Sequence, residues 1–134
     1  MARALKAWPQ IEIQREVLLD AWPQDTQSAI VLDFDPDIRL EVHLGDANEH
    51  LPAWGDCANA WYLDGFAPSR NPQMWSGTLL KTVFAHTVPG GTFATYTAAG
   101  WVRRNLAAAG FDVEKRPGFA GKRDMTVGLR PTST

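Results

Sequence analysis

A single cysteine, Cys57, stands in 134 residues, which excludes an internal disulfide framework and any zinc site built from several thiolates. Neither G-x-S-x-G nor the P-loop pattern occurs, so acyl transfer and nucleotide hydrolysis have no support. The three histidines, His43, His50 and His86, are scattered rather than paired at ligand spacing, and no metal site is expected. No apolar run approaches the ~18 residues needed to cross a bilayer, and the first residues lack the apolar region of a secretory signal. The expectation is a soluble, cytoplasmic protein with no membrane contact.

The composition is that of a globular chain. Hydrophobic residues at 45% and charged residues at 21% argue against disorder and fibrous architecture, and the length suits one domain spanning 1–134. The net charge of −2 hides an uneven distribution: residues 1–69 hold 12 acids and 4 bases, and residues 70–134 hold 3 acids and 9 bases. The halves therefore carry −8 and +6. Such a split marks either a face that meets a polyanion or two halves that attract each other.

Apolar spacing predicts two short helices, Ala2 to Trp8 and Ile13 to Trp22, each stopped by a Trp-Pro pair. A strand, turn, strand pattern follows, with Ala29–Leu32 and Ile38–Leu44 flanking Asp33–Asp37. Ala47 to Trp54 reads as a short helix, Trp61 to Leu63 as a strand and Pro72 to Thr87 as a helix. Pro89-Gly90-Gly91 reads as a turn into a strand from Thr92 to Thr97, and a helix then runs to Ala109 and ends at Gly110. Phe111–Lys115 and Met125–Leu129 are expected to pair. Strands alternating with helices imply a three-layer α/β fold whose sheet is mainly parallel with an antiparallel C-terminal edge.

The most informative run is Ala60-Trp61-Tyr62-Leu63-Asp64-Gly65-Phe66-Ala67-Pro68. It ends an apolar strand on a carboxylate, and Pro68 and Pro72 forbid further ladder bonding. Asp64 is thus presented at a strand tip, where open α/β sheets bind ligands; the alternative is that it caps the following turn. Asp46 ends the preceding strand in the same manner. Trp75 and Phe66 either line a pocket for a planar group or pack in the core. Arg70, Arg103, Arg104, Lys115, Arg116, Lys122 and Arg123 either read phosphates or form a solvated surface.

Leu63-Asp64-Gly65-Phe66-Ala67-Pro68, Asn71-Pro72, Met74-Trp75, Pro89-Gly90-Gly91-Thr92, Ala94-Thr95, Thr97-Ala98-Ala99-Gly100, Val102-Arg103-Arg104, Ala109-Gly110-Phe111 and Gly118-Phe119, with Lys122-Arg123 and Met125, together resemble the methyltransferase domain of the MnmC family, bifunctional tRNA 5-methylaminomethyl-2-thiouridine biosynthesis proteins. The resemblance spans nearly the whole chain. It implies a partial class I methyltransferase fold, Rossmann-like, and S-adenosylmethionine-dependent methyl transfer to the aminomethyl nitrogen of a wobble uridine in tRNA. By the same resemblance Asp64 would face the reacting centre. Asp46 would contact the adenine amino group with Ala47 beside it, and Gly65, Phe66, Ala67 and Pro68 would shape the cofactor pocket. Arg103, Lys122 and Arg123 would contact RNA phosphates, with Phe66, Trp75 or Phe119 stacking on a base.

The chain departs from the family's pattern in having no G-x-G-x-x-G. The first strand, glycine-rich loop and second strand are expected to be lacking, as is the flavin-dependent oxidoreductase half. Two further expectations follow. The sheet edge left open favours self-association or cover by an oxidoreductase partner domain. The rival readings are a non-catalytic tRNA- or partner-binding remnant and a methyltransferase acting on another small amine.

Overall fold

The computed structural model describes residues 8–25, 28–118, 121 and 124–132. It divides into two compact units, Met1–Gly45 and Asp46–Thr134. The helix expected over Ala2–Trp8 falls almost wholly outside the described residues.

In the first unit a 3-10 turn, Pro9–Ile11, leads into α1 (Glu12–Ala21). Proline is tolerated at the head of this turn because its missing N–H has no partner to lose there. The strands β1 (Ala29–Asp35) and β2 (Ile38–His43) form the expected antiparallel hairpin. Its register pairs Ile30 with Val42 and Leu32 with Leu40, so one face of the ribbon is apolar and Ile30 is buried.

The second unit contains α2 (Ala47–Ala53), β3 (Ala58–Tyr62), α3 (Gly77–Ala85), β4 (Thr87–Thr95), α4 (Gly100–Ala109), β5 (Asp112–Pro117) and β6 (Asp124–Leu129). The sheet order is β3-β4-β6-β5. Only β3 and β4 are parallel; β4 with β6 and β6 with β5 are antiparallel. The sheet is therefore mixed rather than mainly parallel, and the antiparallel character comes from the expected C-terminal hairpin. Pro117 lies at the end of edge strand β5, where its missing N–H breaks no internal ladder.

Several boundaries differ from the sequence reading: β1 runs on to Asp35 where a turn is expected from Asp33, and β3 spans Ala58–Tyr62 rather than Trp61–Leu63. The helix expected over Pro72–Thr87 is a 3-10 turn, Pro72–Trp75, followed by α3, whose start is capped by the Ser76 hydroxyl accepting from the Leu79 N–H at 3.2 Å. Pro89-Gly90-Gly91 is not a turn before β4 but an irregularity inside it. The register passes from Ala58↔Thr87 to Ala60↔Thr92, so β4 accommodates extra residues opposite β3. Two backbone bonds, Gly90 N–H to the Arg130 carbonyl at 2.9 Å and Arg130 N–H to the Gly91 carbonyl at 2.8 Å, hold that segment as strand.

The core is formed by Trp75, Leu80, Val83, Phe93, Val102, Leu106 and Phe111, with α3 and α4 supplying four of these. Polar atoms within it are paired. The Thr87 hydroxyl donates to the Val83 carbonyl at 2.6 Å and accepts from the Trp61 indole N–H at 2.8 Å. Gly110 ends α4 with φ 119°, and a side chain there would meet the Phe84 ring at 2.7 Å. Arg130 closes α3 from outside, donating through Nη1 to the Phe84 and Thr87 carbonyls at 3.1 and 2.6 Å, with its guanidinium 4.7 Å from the Phe84 ring centroid. Among the described residues no helix is long and apolar enough to cross a membrane.

Candidate active site

The last rung of β3 is the Leu63 N–H bonded to the Ala94 carbonyl at 2.9 Å, so Asp64 is the first residue beyond the sheet. It is exposed and, among the described residues, its carboxylate has no hydrogen bond or ion pair. The capping alternative therefore fails: the next helical turn has no side-chain cap and α3 is capped by Ser76. Because β3 and β4 run parallel, their carboxyl ends meet. There a cleft of about 220 Å³ is lined by Tyr62, Leu63, Asp64, Ala94, Thr95, Tyr96 and Met125. This is where open α/β sheets place their ligands.

The loop after Asp64 is held from beneath. Asn71 Nδ2 donates to the Gly65 carbonyl at 3.3 Å, and the Trp75 indole N–H donates to the Phe66 carbonyl at 3.2 Å. The Arg70 and Asn71 N–H groups both reach the Ala67 carbonyl, which closes the turn through Pro68. Gly65 is buried, and a Cβ there would lie 3.0 Å from Met74 Cβ and 3.4 Å from the indole of Trp75. Close packing of backbone on indole, rather than an unusual φ, is what requires glycine at 65. Trp75 is 2% exposed and belongs to the core, which settles its role as packing. Phe66 is the opposite case, 81% exposed with φ 62°.

The other candidate residues are distributed unevenly. Asp46 does not line the cleft; it is the N-cap of α2, accepting from the backbone N–H of Asn48 at 2.8 Å and from Asn48 Nδ2 at 3.0 Å. The Asn48 side chain first, and its backbone N–H second, hold the Asp46 carboxyl below its ordinary range. It is therefore an anion at neutral pH. Ala47 is the first residue of that helix and is half-buried. Arg103 lies on α4 with its Nε buried and lacking a hydrogen-bond partner. Lys122, Arg123 and Phe119 lie outside the described residues.

Tyr62, Thr95, Tyr96 and Met125 are cleft residues to which the sequence reading gives no site role, although Thr95 and Met125 are among the residues that carry the family resemblance. Thr95 and Tyr96 carried a signal, since Thr95 ends the strand paired with β3 and Tyr96 follows it. Met125 carried no local signal for the cleft: it arrives through the antiparallel register that sets Thr95 opposite Thr126.

The sequence model of a family described as S-adenosyl-L-methionine-dependent methyltransferase matches residues 9–131. Among curated relatives, the tRNA 5-methylaminomethyl-2-thiouridine biosynthesis bifunctional protein MnmC of Caulobacter vibrioides is 44% identical over 97% of this chain and 22% of its own length. The protein of the same name from Chromohalobacter salexigens is 43% identical over 96% of this chain and 18% of its own. The chain thus spans about a fifth of the length of these relatives. The crystal structure of MNMC2 from Aquifex aeolicus superposes with a TM-score of 0.73 at 27% identity, covering 95% of this chain and 40% of that one. With a family match across nearly all its length and a shared fold, the chain belongs to the S-adenosyl-L-methionine-dependent methyltransferase family.

Proposed function

We propose that this protein methylates the aminomethyl nitrogen of a modified wobble uridine in tRNA, with Asp64 as its catalytic residue. The observation that carries the reading is the exposed, unpaired Asp64 carboxylate in a cleft at the joined carboxyl ends of β3 and β4. The names of the 44% and 43% identical relatives supply the substrate class.

The cleft's chemistry fits the cofactor's reactive end. One carboxylate and two phenol rings among apolar walls suit a group that carries positive charge. Its volume of about 220 Å³ is below the ~300–1,000 Å³ of pockets that enclose a whole ligand of this size, so it matches one end only. Asp46 and Ala47 would hold the adenine end, and Gly65, Phe66 and Pro68 would wall the approach. When bound, S-adenosylmethionine supplies an electrophilic methyl on a sulfonium. Asp64 accepts a hydrogen bond from the neutral amine, aims its lone pair and stabilises positive charge as it develops on nitrogen. The ammonium so formed would release its proton to solvent, to which Asp64 and the cleft are open. Arg103, with Lys122 and Arg123, would contact phosphates of the RNA.

The same reading places the protein in the cytoplasm as a methyltransferase-like domain. Among the described residues β3 pairs on one side only, and its other edge would be covered by an oxidoreductase partner domain or a second copy. Isothermal titration of the intact protein with S-adenosylmethionine separates an enzyme from a non-catalytic remnant: heat of binding is expected, and none at millimolar ligand favours the remnant. Asp64→Asn should retain cofactor binding and lose at least about a hundredfold in turnover. Unchanged turnover removes Asp64 from the mechanism, and turnover on a small free amine in place of tRNA would favour another substrate.

A further inference from the structure

Thr126 stands in the middle of β6 with a strand on either side, opposite Thr95 of β4 and Lys115 of β5, and it is 0% exposed. Valine would fill the same space and suit a buried strand as well, without a polar group to satisfy. The sheet therefore does not require the hydroxyl. It takes no part in the ladder and instead donates to the Thr97 carbonyl at 2.8 Å.

Thr97 lies past the end of β4, in the loop that runs to α4. Both of its main-chain groups are held by threonines of the sheet: the carbonyl by Thr126, and the N–H by the hydroxyl of buried Thr95 at 3.3 Å. The Thr97 hydroxyl in turn accepts from the Ala99 N–H at 3.3 Å, at the head of α4. Tyr96 sits between the two tethered residues and lines the cleft with Asp64, while Met125, next to Thr126 on β6, lines the same cleft. The Tyr96 ring is open to solvent, so its placement depends on the backbone that carries it more than on side-chain packing.

We infer that Thr126 is a positioning residue of the cleft: its buried hydroxyl pins the loop after β4 and so sets where Tyr96 stands beside Asp64. Its effect on turnover rests on the reaction proposed above, because a cleft wall that wanders brings the amine and the methyl donor into line less often. Its effect on Tyr96 does not.

The test uses the intact protein with fluorotyrosine in place of tyrosine. Tyr62 and Tyr96 are the two tyrosines of the chain, so the fluorine NMR spectrum holds two resonances, which Tyr62→Phe assigns. Thr126→Val is expected to move or broaden the Tyr96 resonance. It should also lower turnover on a tRNA anticodon stem–loop carrying the aminomethyl uridine by at least about tenfold, with the KM for S-adenosylmethionine within about twofold of the parent. Thr126→Ser, which keeps the hydroxyl, should restore both. Thr87→Val is the control: it removes an equally buried hydroxyl that is bonded to Val83 and Trp61 rather than to this loop, and should lower the unfolding temperature without moving Tyr96. An unmoved Tyr96 resonance in folded Thr126→Val, or full turnover by it, overturns the assignment. So does a Tyr96 resonance that Thr87→Val moves as far, or a Thr126→Val chain that does not fold, since the hydroxyl then serves the fold at large. A parent that methylates no stem–loop sinks the proposed reaction instead, and the fluorine spectrum still decides the role of Thr126.

Discussion

Replacing Trp75 by phenylalanine tests how the core supports the site. The indole is 2% exposed, packs with Leu80, Val83, Phe93, Val102, Leu106 and Phe111, and spends its one N–H on the Phe66 carbonyl at 3.2 Å. Loss of the donor removes a hydrogen bond worth ~0.5–1.5 kcal/mol, at the low end here because the freed carbonyl belongs to an exposed residue that water can reach. Removing a buried Trp or Phe side chain altogether costs ~3–5 kcal/mol, and Trp75→Phe removes only part of the ring system, for roughly 1–2 kcal/mol. The total is about 1.5–2.5 kcal/mol, or roughly 6–10 °C in unfolding temperature for a domain of this size. Urea unfolding followed by circular dichroism measures it directly. Without its anchor the Phe66 backbone can leave the left-handed region, so turnover should fall as well, because the loop after Asp64 is no longer held. A Trp75→Phe protein within about 0.5 kcal/mol of the parent, close to the ordinary effect of a surface change, refutes the argument that this indole props the loop.

Gly110→Ala should destabilise by roughly 2–4 kcal/mol, from a left-handed residue that resents a Cβ and from overpacking against the Phe84 ring; a denaturation midpoint matching the parent's would contradict it. Asp46 has a depressed carboxyl pKa through Asn48, so its contribution to stability is fully present above the unfolded-state pKa and is lost as pH falls through the lower folded value. Unfolding measured across the acid range should therefore show the gap between the parent and Asp46→Ala constant near neutrality and shrinking below the ordinary aspartate range. A gap that widens on acidification reverses the assignment.

Much of the hairpin, of α4 and of the C-terminal strand pair was legible in the chain, because alternation and helical spacing record which face of each element is apolar. Gly110 as a helix stop was legible for the same local reason. Asp64 could be found at a strand tip because proline and glycine punctuate the chain after it. The break at Ser76 was hidden, since a 3-10 turn and an α-helix bury similar positions over one turn and differ only in hydrogen bonding. The strand through Pro89-Gly90-Gly91 was hidden too, since its ladder partner, Arg130, lies far along the sequence.

By itself, the sequence determined the order and kind of most elements, the family, and the carboxylate set beyond an apolar strand, all properties written within short windows. Tertiary structure alone decided that β6 inserts antiparallel between β4 and β5, that Tyr62, Thr95, Tyr96 and Met125 share the cleft with Asp64 while Asp46 caps a helix outside its lining, and that Trp75 is buried while Phe66 faces solvent. Side-chain neighbours across a sheet depend on register between distant segments, and a ring's exposure depends on what packs beneath its backbone. No local pattern records either.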